Sequence, residues 1–322
     1  MTEPTSLKTA IEWARAELTA AGIGSPRADA EILAAHLLKV SRGELAAALI
    51  TGRGPKLDYD AYRELVRERA RRVPLQHLTG TAPFRNLELA VGPGVFIPRP
   101  ETETVAQVAI DAVNAALSGS GEALGVRDAS QLRERVIAVD LCTGSGAIAL
   151  ALVAETRAAA VYAVELSELA FAWAEQNHNL LNARYGSETA ARLHLRHADA
   201  TDPATLSELD GQVDVVVTNP PYIPPDSVPV DTEVREHDPQ IALYGRGADG
   251  LEVPGAVLNR AQALLRPGGV VIMEHAEVQA AALRRLAVAT GGWEEIQTLP
   301  DLTGRARMLY AKCVDSSGKV GE

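Results

Sequence analysis

Apolar positions recur every three and four residues through the first 80 residues. Leu7, Ile11, Ala14 and Leu18 share one helical face, and Ile32, Leu33, His36 and Leu37 line another. Ser25 followed by Pro26 supplies an N-cap and a proline at the first helical position. Asp60 reads as the cap of a further helix that turns Tyr62, Leu65, Val66, Ala70 and Val73 to one side and arginines to the other. The spacing predicts a helical domain over residues 1–80. From Gly80 to Pro100 the period shortens. Thr81 to Val91 partly alternates and is punctuated by Pro83, Gly92, Pro93, Gly94 and Pro98, as expected of a β-hairpin linker over residues 81–100.

Residues 101–322 follow a different rhythm. A helix from Glu101 to about Leu117 gives way to a loop at Ser118-Gly-Ser-Gly-Glu122. Valine-rich runs at Val136 to Val139, Val161 to Val164, Leu193 to Leu195, Val213 to Val217 and Val270 to Met273 read as strands. Helical patterns fit between them at Ala147 to Glu155, Glu168 to Asn182, Pro254 to Leu265 and Val278 to Ala289. Alternation of this kind predicts an α/β domain with a parallel sheet covered on both faces, whose ligands bind at the carboxyl ends of the strands.

Composition narrows the options. A chain of 322 residues with 47% hydrophobic and 23% charged residues has the material for two globular domains. No run approaches the roughly 18 apolar residues of a membrane helix, and the first residues mix charges instead of forming a signal-peptide core. The two cysteines, Cys142 and Cys313, form no disulfide or metal framework. A cytoplasmic protein is expected. Residues 1–80 carry 12 Lys and Arg against 10 Asp and Glu; the remainder carries a net charge of −13. A general, sequence-independent affinity for nucleic acid is thereby disfavoured. Arg67, Arg69, Arg71 and Arg72 form either a patch for an acidic or ribonucleoprotein partner or a solvated helix face.

Chemistry is expected immediately after strands. Asp140-Leu-Cys-Thr-Gly-Ser-Gly146 follows the first strand, where Gly144 and Gly146 permit a tight turn and the next helix offers free N–H groups. Such a turn favours a nucleotide-like ligand, but glycine after a strand also serves turns alone, and neither a full dinucleotide fingerprint nor a Walker lysine is present. Glu165 ends the second strand, in place to accept from ribose hydroxyls. Asp199, after the third strand, either meets an adenine amino group or serves as a helix cap or a surface acid. With nothing arranged for pyrophosphate, a nucleoside-type cofactor fits better than a dinucleotide.

Val217-Thr-Asn219-Pro220-Pro221-Tyr222 is the most specific stretch. Two prolines cannot sit in a central strand, so this run forms a rigid exit loop in which the Asn219 side chain and the Pro220 carbonyl hold fixed directions. With the glycine turn and Glu165 it resembles amino-methyltransferases that use S-adenosylmethionine to methylate planar nitrogens of adenine, guanine or glutamine. Asn219 and Pro220 would each accept one N–H of the substrate nitrogen, and Tyr222 would pack on the planar group.

Leu78-Thr-Gly80, Phe96-Ile-Pro-Arg-Pro-Glu-Thr-Glu103, Asn219-Pro-Pro-Tyr-Ile223 and Glu274-His275 together resemble the peptide chain release factor glutamine N5-methyltransferase family (PrmC, also called HemK), over about Gln76 to Lys312. The resemblance implies a Rossmann-like class I methyltransferase domain behind a helical substrate-recognition domain and a hairpin. It further implies methylation of the glutamine in the Gly-Gly-Gln loop of bacterial class 1 release factors, with S-adenosylhomocysteine as by-product. Catalytic positions would be Asn219, Pro220, Pro221 and Tyr222. Cofactor contacts would come from Cys142, Thr143, Gly144, Ser145, Gly146, Glu165, Asp199, Ala200 and Asn219, with Phe96 and Pro98 flanking the pocket. Three positions depart from the family pattern: Cys142 replaces the first glycine of the turn, Glu165 stands where Asp is frequent, and Ala200 lacks an aromatic found in some members.

Rival readings are an N6-adenine or N2-guanine nucleic-acid methyltransferase, against which the acidic second part argues, and a non-catalytic cofactor-binding module, against which the intact Asn-Pro-Pro-Tyr run argues. A monomer without stable nucleic-acid or membrane partners is expected. His194 and His197 lie at i and i+3 of a strand, on opposite faces with no completing ligands, so no metal site is expected. Residues 233–250 form either a lid over the substrate or an inert surface loop.

Overall fold

The computed structural model describes residues 6–118, 136–158 and 160–314, and these divide into two compact units. The loop expected from Ser118 onwards lies, beyond Ser118 itself, outside the described residues.

The first unit comprises Met1–Thr81, Val91–Pro93 and Pro229–His237. Its helices are α1 (Leu7–Ala20), α2 (Pro26–Leu38), α3 (Arg42–Thr51), α4 (Tyr59–Ala70) and α5 (Leu75–Thr79). Ala10, Ile11, Ala14 and Leu18 pack against Ala30, Leu33 and Ala34 and against Tyr62 and Val66, which is the burial that amphipathic spacing provides. The buried Tyr62 hydroxyl donates to Ala30 O at 2.8 Å. On α2 the inward face is Ala30, Leu33 and Ala34, whereas His36, expected inside, is exposed. Asp58 caps α4, accepting from Asp60 N and Ala61 N at 3.1 Å, so Asp60 lies in the first turn and is not the cap. Ser41 and Glu44 form the capping box that starts α3, a helix not anticipated.

The four arginines do not form one patch. Arg69 is buried: its Nε donates to Asp29 Oδ2 at 2.8 Å and its Nη1 to Glu233 Oε1 at 2.9 Å. Arg72 donates to Glu233 Oε2 at 2.6 Å and to Gly22 O at 2.9 Å. Arg67 and Arg71 make exposed pairs with Glu64 and Glu68 one turn back.

The second unit comprises Ala82–Ala90, Gly94–Val228 and Asp238–Glu322. It holds most of the hairpin β1 (Thr81–Phe84) and β2 (Leu87–Ala90), then α6 (Pro100–Leu117), β3 (Ile137–Leu141), α7 (Ala147–Glu155), β4 (Ala160–Glu165), α8 (Glu168–Tyr185), α9 (Ser187–Ala190), β5 (Leu193–His197) and β6 (Val213–Thr218). After β6 the chain passes through α10 (Thr232–His237), which belongs to the first unit. It then forms α11 (Gln240–Leu243), α12 (Glu252–Leu264), β7 (Leu265–Glu274), α13 (Ala280–Thr290), β8 (Trp293–Pro300) and β9 (Ala306–Cys313).

The sheet order is β5-β4-β3-β6-β7-β9-β8. β3 to β7 are parallel, but β9 runs antiparallel to β7 and β8 antiparallel to β9, so the fully parallel sheet expected from sequence is corrected to a mixed one. The final pair is joined by a short loop, which only antiparallel strands permit. Side chains alternate across the sheet. Val139, Leu141, Val216 and Met273 bury against Val257, Leu258 and Leu264 of α12 and Leu283 and Ala287 of α13, while Asp140 faces α7. Among β3 to β7, strand order reverses direction between β3 and β6, and such a switch point opens a crevice at the strand ends.

Candidate active site

The two motifs from the sequence meet at that crevice. Leu141 pairs with Thr218, and the Thr218 hydroxyl donates to Leu141 O at 2.6 Å, tying the last residues of β3 and β6 together. The turn at 142–146 and the bend at 219–222 therefore leave adjacent strand ends.

The turn is pinned on several sides. Thr143 N donates to Val164 O at 2.9 Å, and Gly144 N to Glu165 Oε2 at 2.8 Å. Glu165 Oε1 accepts from Ser167 N at 2.7 Å. Burial pushes the Glu165 carboxyl above its ordinary value, and these N–H groups oppose the shift. Gly144 and Gly146 have φ of +59° and +85°. A side chain on Gly144 would meet open space, whereas a Cβ on Gly146 would lie 3.1 Å from Leu150 of α7. The first glycine thus keeps the approach clear and the second lets the helix start against the turn. Cys142 also adopts a left-handed conformation, φ 65°, although it carries a side chain. Burial, then the nearby Glu165 and Asp140 carboxyls, push its thiol far above the ordinary value.

Two anchors of this turn were not singled out from sequence. Asp140 is fully buried; its Oδ2 accepts from the Thr143 hydroxyl at 2.5 Å and Ala149 N at 3.1 Å, and its Oδ1 has no hydrogen-bond partner among the described residues. Burial raises its pKa to about 7 against the pull of those two donors. Asn177 of α8 donates to Ser145 O and Ala90 O, each at 3.0 Å, and accepts from Ala90 N at 2.6 Å, so it ties the turn to β2. The turn, the free N–H groups opening α7 and the flanking acid fit a nucleoside-type group.

The bend is braced from behind. Pro220 is buried; Asn219, Pro221 and Tyr222 are half-buried. Tyr222 N and Ile223 N both donate to Leu243 O, and Gly245 N donates to Ile223 O at 3.0 Å. A side chain at Gly245 would collide with the Gly250 and Pro221 carbonyls, and one at Gly250 with the Tyr222 carbonyl. Gln279 donates to Tyr222 O at 2.7 Å and Asp249 O at 2.9 Å. Residues 243–250 thus brace the bend. Behind the bend, the Thr102 hydroxyl donates to Glu274 Oε2 at 2.8 Å, Tyr222 OH lies 3.4 Å from Glu274 Oε1, and Asn219 Nδ2 lies 3.5 Å from Thr102 Oγ1.

Asp199 Oδ1 caps a local turn by accepting from Thr201 N and Oγ1, and Ala200 is buried in the core cluster that also touches Cys142. The Phe96 ring carries the Arg99 guanidinium at 5.1 Å, and Arg99 pairs with the buried Asp238. His194 packs on Tyr162 and His197 on Phe171.

Residues 9–80 match a family model described as the PrmC N-terminal domain, and residues 123–233 one described as the methyltransferase small domain. The chain is 44% identical to a release factor glutamine methyltransferase of Bifidobacterium longum, over 94% of this chain and 97% of that one. It is 45% identical to a protein of that name from Streptomyces coelicolor, over 94% and 96%. A 4-amino-L-phenylalanine/4-methylamino-L-phenylalanine methyltransferase of Streptomyces pristinaespiralis is 36% identical over 92% and 91%.

Proposed function

The chain belongs to the release factor glutamine methyltransferase family. From that premise we propose that it transfers a methyl group from S-adenosylmethionine to the side-chain amide nitrogen of the glutamine in the Gly-Gly-Gln loop of bacterial class 1 release factors. The bend at 219–222, set beside the glycine turn at the switch point, is the observation that carries this reading.

Bound at the turn, S-adenosylmethionine supplies an electrophilic methyl carbon. Residues 142–146 would hold it through backbone N–H groups, Glu165 through ribose hydroxyls, and Asp199 and Ala200 beside the base, with Phe96 and Pro98 at the rim. A carboxylate oxygen has two lone pairs, so Glu165 Oε2 can keep the Gly144 N–H and still accept a hydroxyl.

An amide nitrogen is a poor nucleophile because its lone pair is delocalised. Asn219 Oδ1 and the Pro220 carbonyl would each accept one of its N–H groups, aiming the nitrogen and stabilising the positive charge it gains. Tyr222 packs on the amide plane. Burial beside Glu274 pushes the Tyr222 phenol well above its ordinary value, so it stays neutral and serves as a platform, not a base. A strong base is unnecessary, because the proton on nitrogen becomes acidic once the C–N bond has formed and then leaves to water.

The helical unit would recognise the release factor, the hairpin would serve as linker, and residues 101–322 would carry catalysis. The enzyme would act as a monomer in the cytoplasm, where translation supplies its acceptor, without stable nucleic-acid or membrane partners. No helix among the described residues is long and apolar enough to cross a membrane.

Incubation with isotopically labelled S-adenosylmethionine tests this. Label should enter a class 1 release factor and disappear when the Gly-Gly-Gln glutamine is replaced by alanine. Label in nucleic acid or in 4-amino-L-phenylalanine instead, or persistent label in the alanine variant, would contradict the assignment.

A further inference from the structure

Asparagine presents an oxygen at one end of its amide and an NH2 at the other, and the two ends have almost the same shape. Only the partner of one end decides what the other offers a ligand. In this structure that partner is Thr102 Oγ1, 3.5 Å from Asn219 Nδ2. A threonine hydroxyl has a single hydrogen, and Thr102 gives it to Glu274 Oε2 at 2.8 Å. Its oxygen can then only accept from Asn219, which turns the NH2 inward and leaves Oδ1 pointing the other way. Both Thr102 and Glu274 are buried, so water does not compete for these bonds. The second carboxylate oxygen, Oε1, faces the Tyr222 hydroxyl at 3.4 Å. The two distances to the bend are long, as is common before a site closes on its ligands.

We infer that Thr102 and Glu274 are positioning residues: Glu274 orients the Thr102 hydroxyl, the hydroxyl fixes the Asn219 amide with its oxygen toward the substrate nitrogen, and the same carboxylate holds Tyr222. The inference rests on the amide-methylation reading above for what Asn219 meets, but not for the relay itself.

The relay requires both carboxylate oxygens to accept. A protonated Glu274 would donate one bond; the Thr102 hydroxyl could then reverse toward Asn219, flip its amide and set NH2 against the substrate NH2. Burial raises Glu274 to about 7, opposed by Thr102, by Arg307 on β9 and by Tyr222 on the bend; Glu101 on α6 pushes it further up, and His275 follows it on the chain. Turnover should therefore fall as the medium is acidified through neutrality.

The test uses the full-length protein, a class 1 release factor and S-adenosylmethionine. Thr102→Val should lower kcat about 10- to 100-fold, the worth of one or two buried hydrogen bonds, with KM and cofactor affinity within about threefold of wild type. Thr102→Ser, which restores the hydroxyl, should return kcat to within about threefold. Glu274→Gln should abolish the acid limb of the kcat profile. In parallel, the Asn219 side-chain NH2 signals in 15N NMR spectra, which need no acceptor, should shift in Thr102→Val and return in Thr102→Ser. Wild-type kcat in Thr102→Val, failure of serine to rescue, or NH2 signals unmoved by valine would overturn the relay. Absence of transfer by the wild-type protein would overturn the glutamine assignment instead, with the NMR arm still deciding the relay.

Discussion

Glu165 Oε2 accepts the Gly144 N–H at 2.8 Å, joining the acid that ends β4 to the turn that follows β3. Neighbouring parallel strands deliver the two residues to one spot, so the acid holds the turn beside which the cofactor is proposed to bind. Glu165→Ala should weaken S-adenosylmethionine binding about 10- to 100-fold, as loss of hydrogen bonds to a charged group does. Glu165→Gln, which retains one acceptor, should lose less. Calorimetric titration measures both, and an unchanged affinity in the alanine variant would remove Glu165 from the cofactor site.

For Asn219→Ala, kcat should fall about 100- to 1,000-fold, the usual effect of removing one fixed transition-state contact. Cofactor affinity and melting temperature should stay near wild type, because Asn219 is half-buried and its side-chain hydrogen bond to Thr102 is long, at 3.5 Å. Steady-state kinetics with a release factor acceptor check this; wild-type turnover would show that Asn219 does not position the amide.

Cys142 sits at φ 65° where glycine is strain-free. A side chain in that region costs about 1 kcal/mol, and alanine there keeps the strain while losing the thiol. Cys142→Gly should therefore melt about 2–4 °C above Cys142→Ala. Scanning calorimetry of the two variants decides it, and equal or reversed melting temperatures would mean that thiol packing outweighs the backbone.

Glu274 also makes stability depend on pH. Its pKa rises from an ordinary 4.5 to about 7 in the folded protein because burial disfavours the charge. The protonated form therefore favours folding: that contribution is complete below about pH 4.5 and is lost as pH climbs through about 7. Glu274→Gln, neutral throughout, should gain on wild type by up to about 3 kcal/mol between pH 5 and pH 8. Melting curves across that range would show the gap opening; a constant gap would place the titration elsewhere. The ionised carboxylate serves the relay and burdens the fold, a common trade at active sites.

Much of this was legible in the sequence because its signals are local. Ser25-Pro26, the Gly144 to Gly146 turn and the two prolines after Asn219 constrain their own backbone, so the start of α2, the strand ends and the bend could be placed from the chain alone. What escaped depends on partners distant in sequence. Asn177 reads as one more polar helix residue until it is found bridging Ser145 and Ala90. Thr102 and Glu274 are 172 positions apart, and a Cβ on Gly245 or Gly250 would meet carbonyls of residues 221 and 222, more than 20 positions back. Arg69 looked like surface charge, yet it is buried between Asp29 and Glu233. The antiparallel β8 was missed because it is a half-exposed edge in which Glu294, Glu295, Gln297 and Thr298 break up the apolar run that marked β3 to β7.

The central claim is that the 219–222 bend offers two oxygens to a glutamine amide. A crystal structure of the enzyme with S-adenosylhomocysteine and a release factor measures it most directly. Asn219 Oδ1 and Pro220 O should each lie about 3 Å from the amide nitrogen, whereas either oxygen turned away, or a glutamine seated elsewhere, would contradict the account.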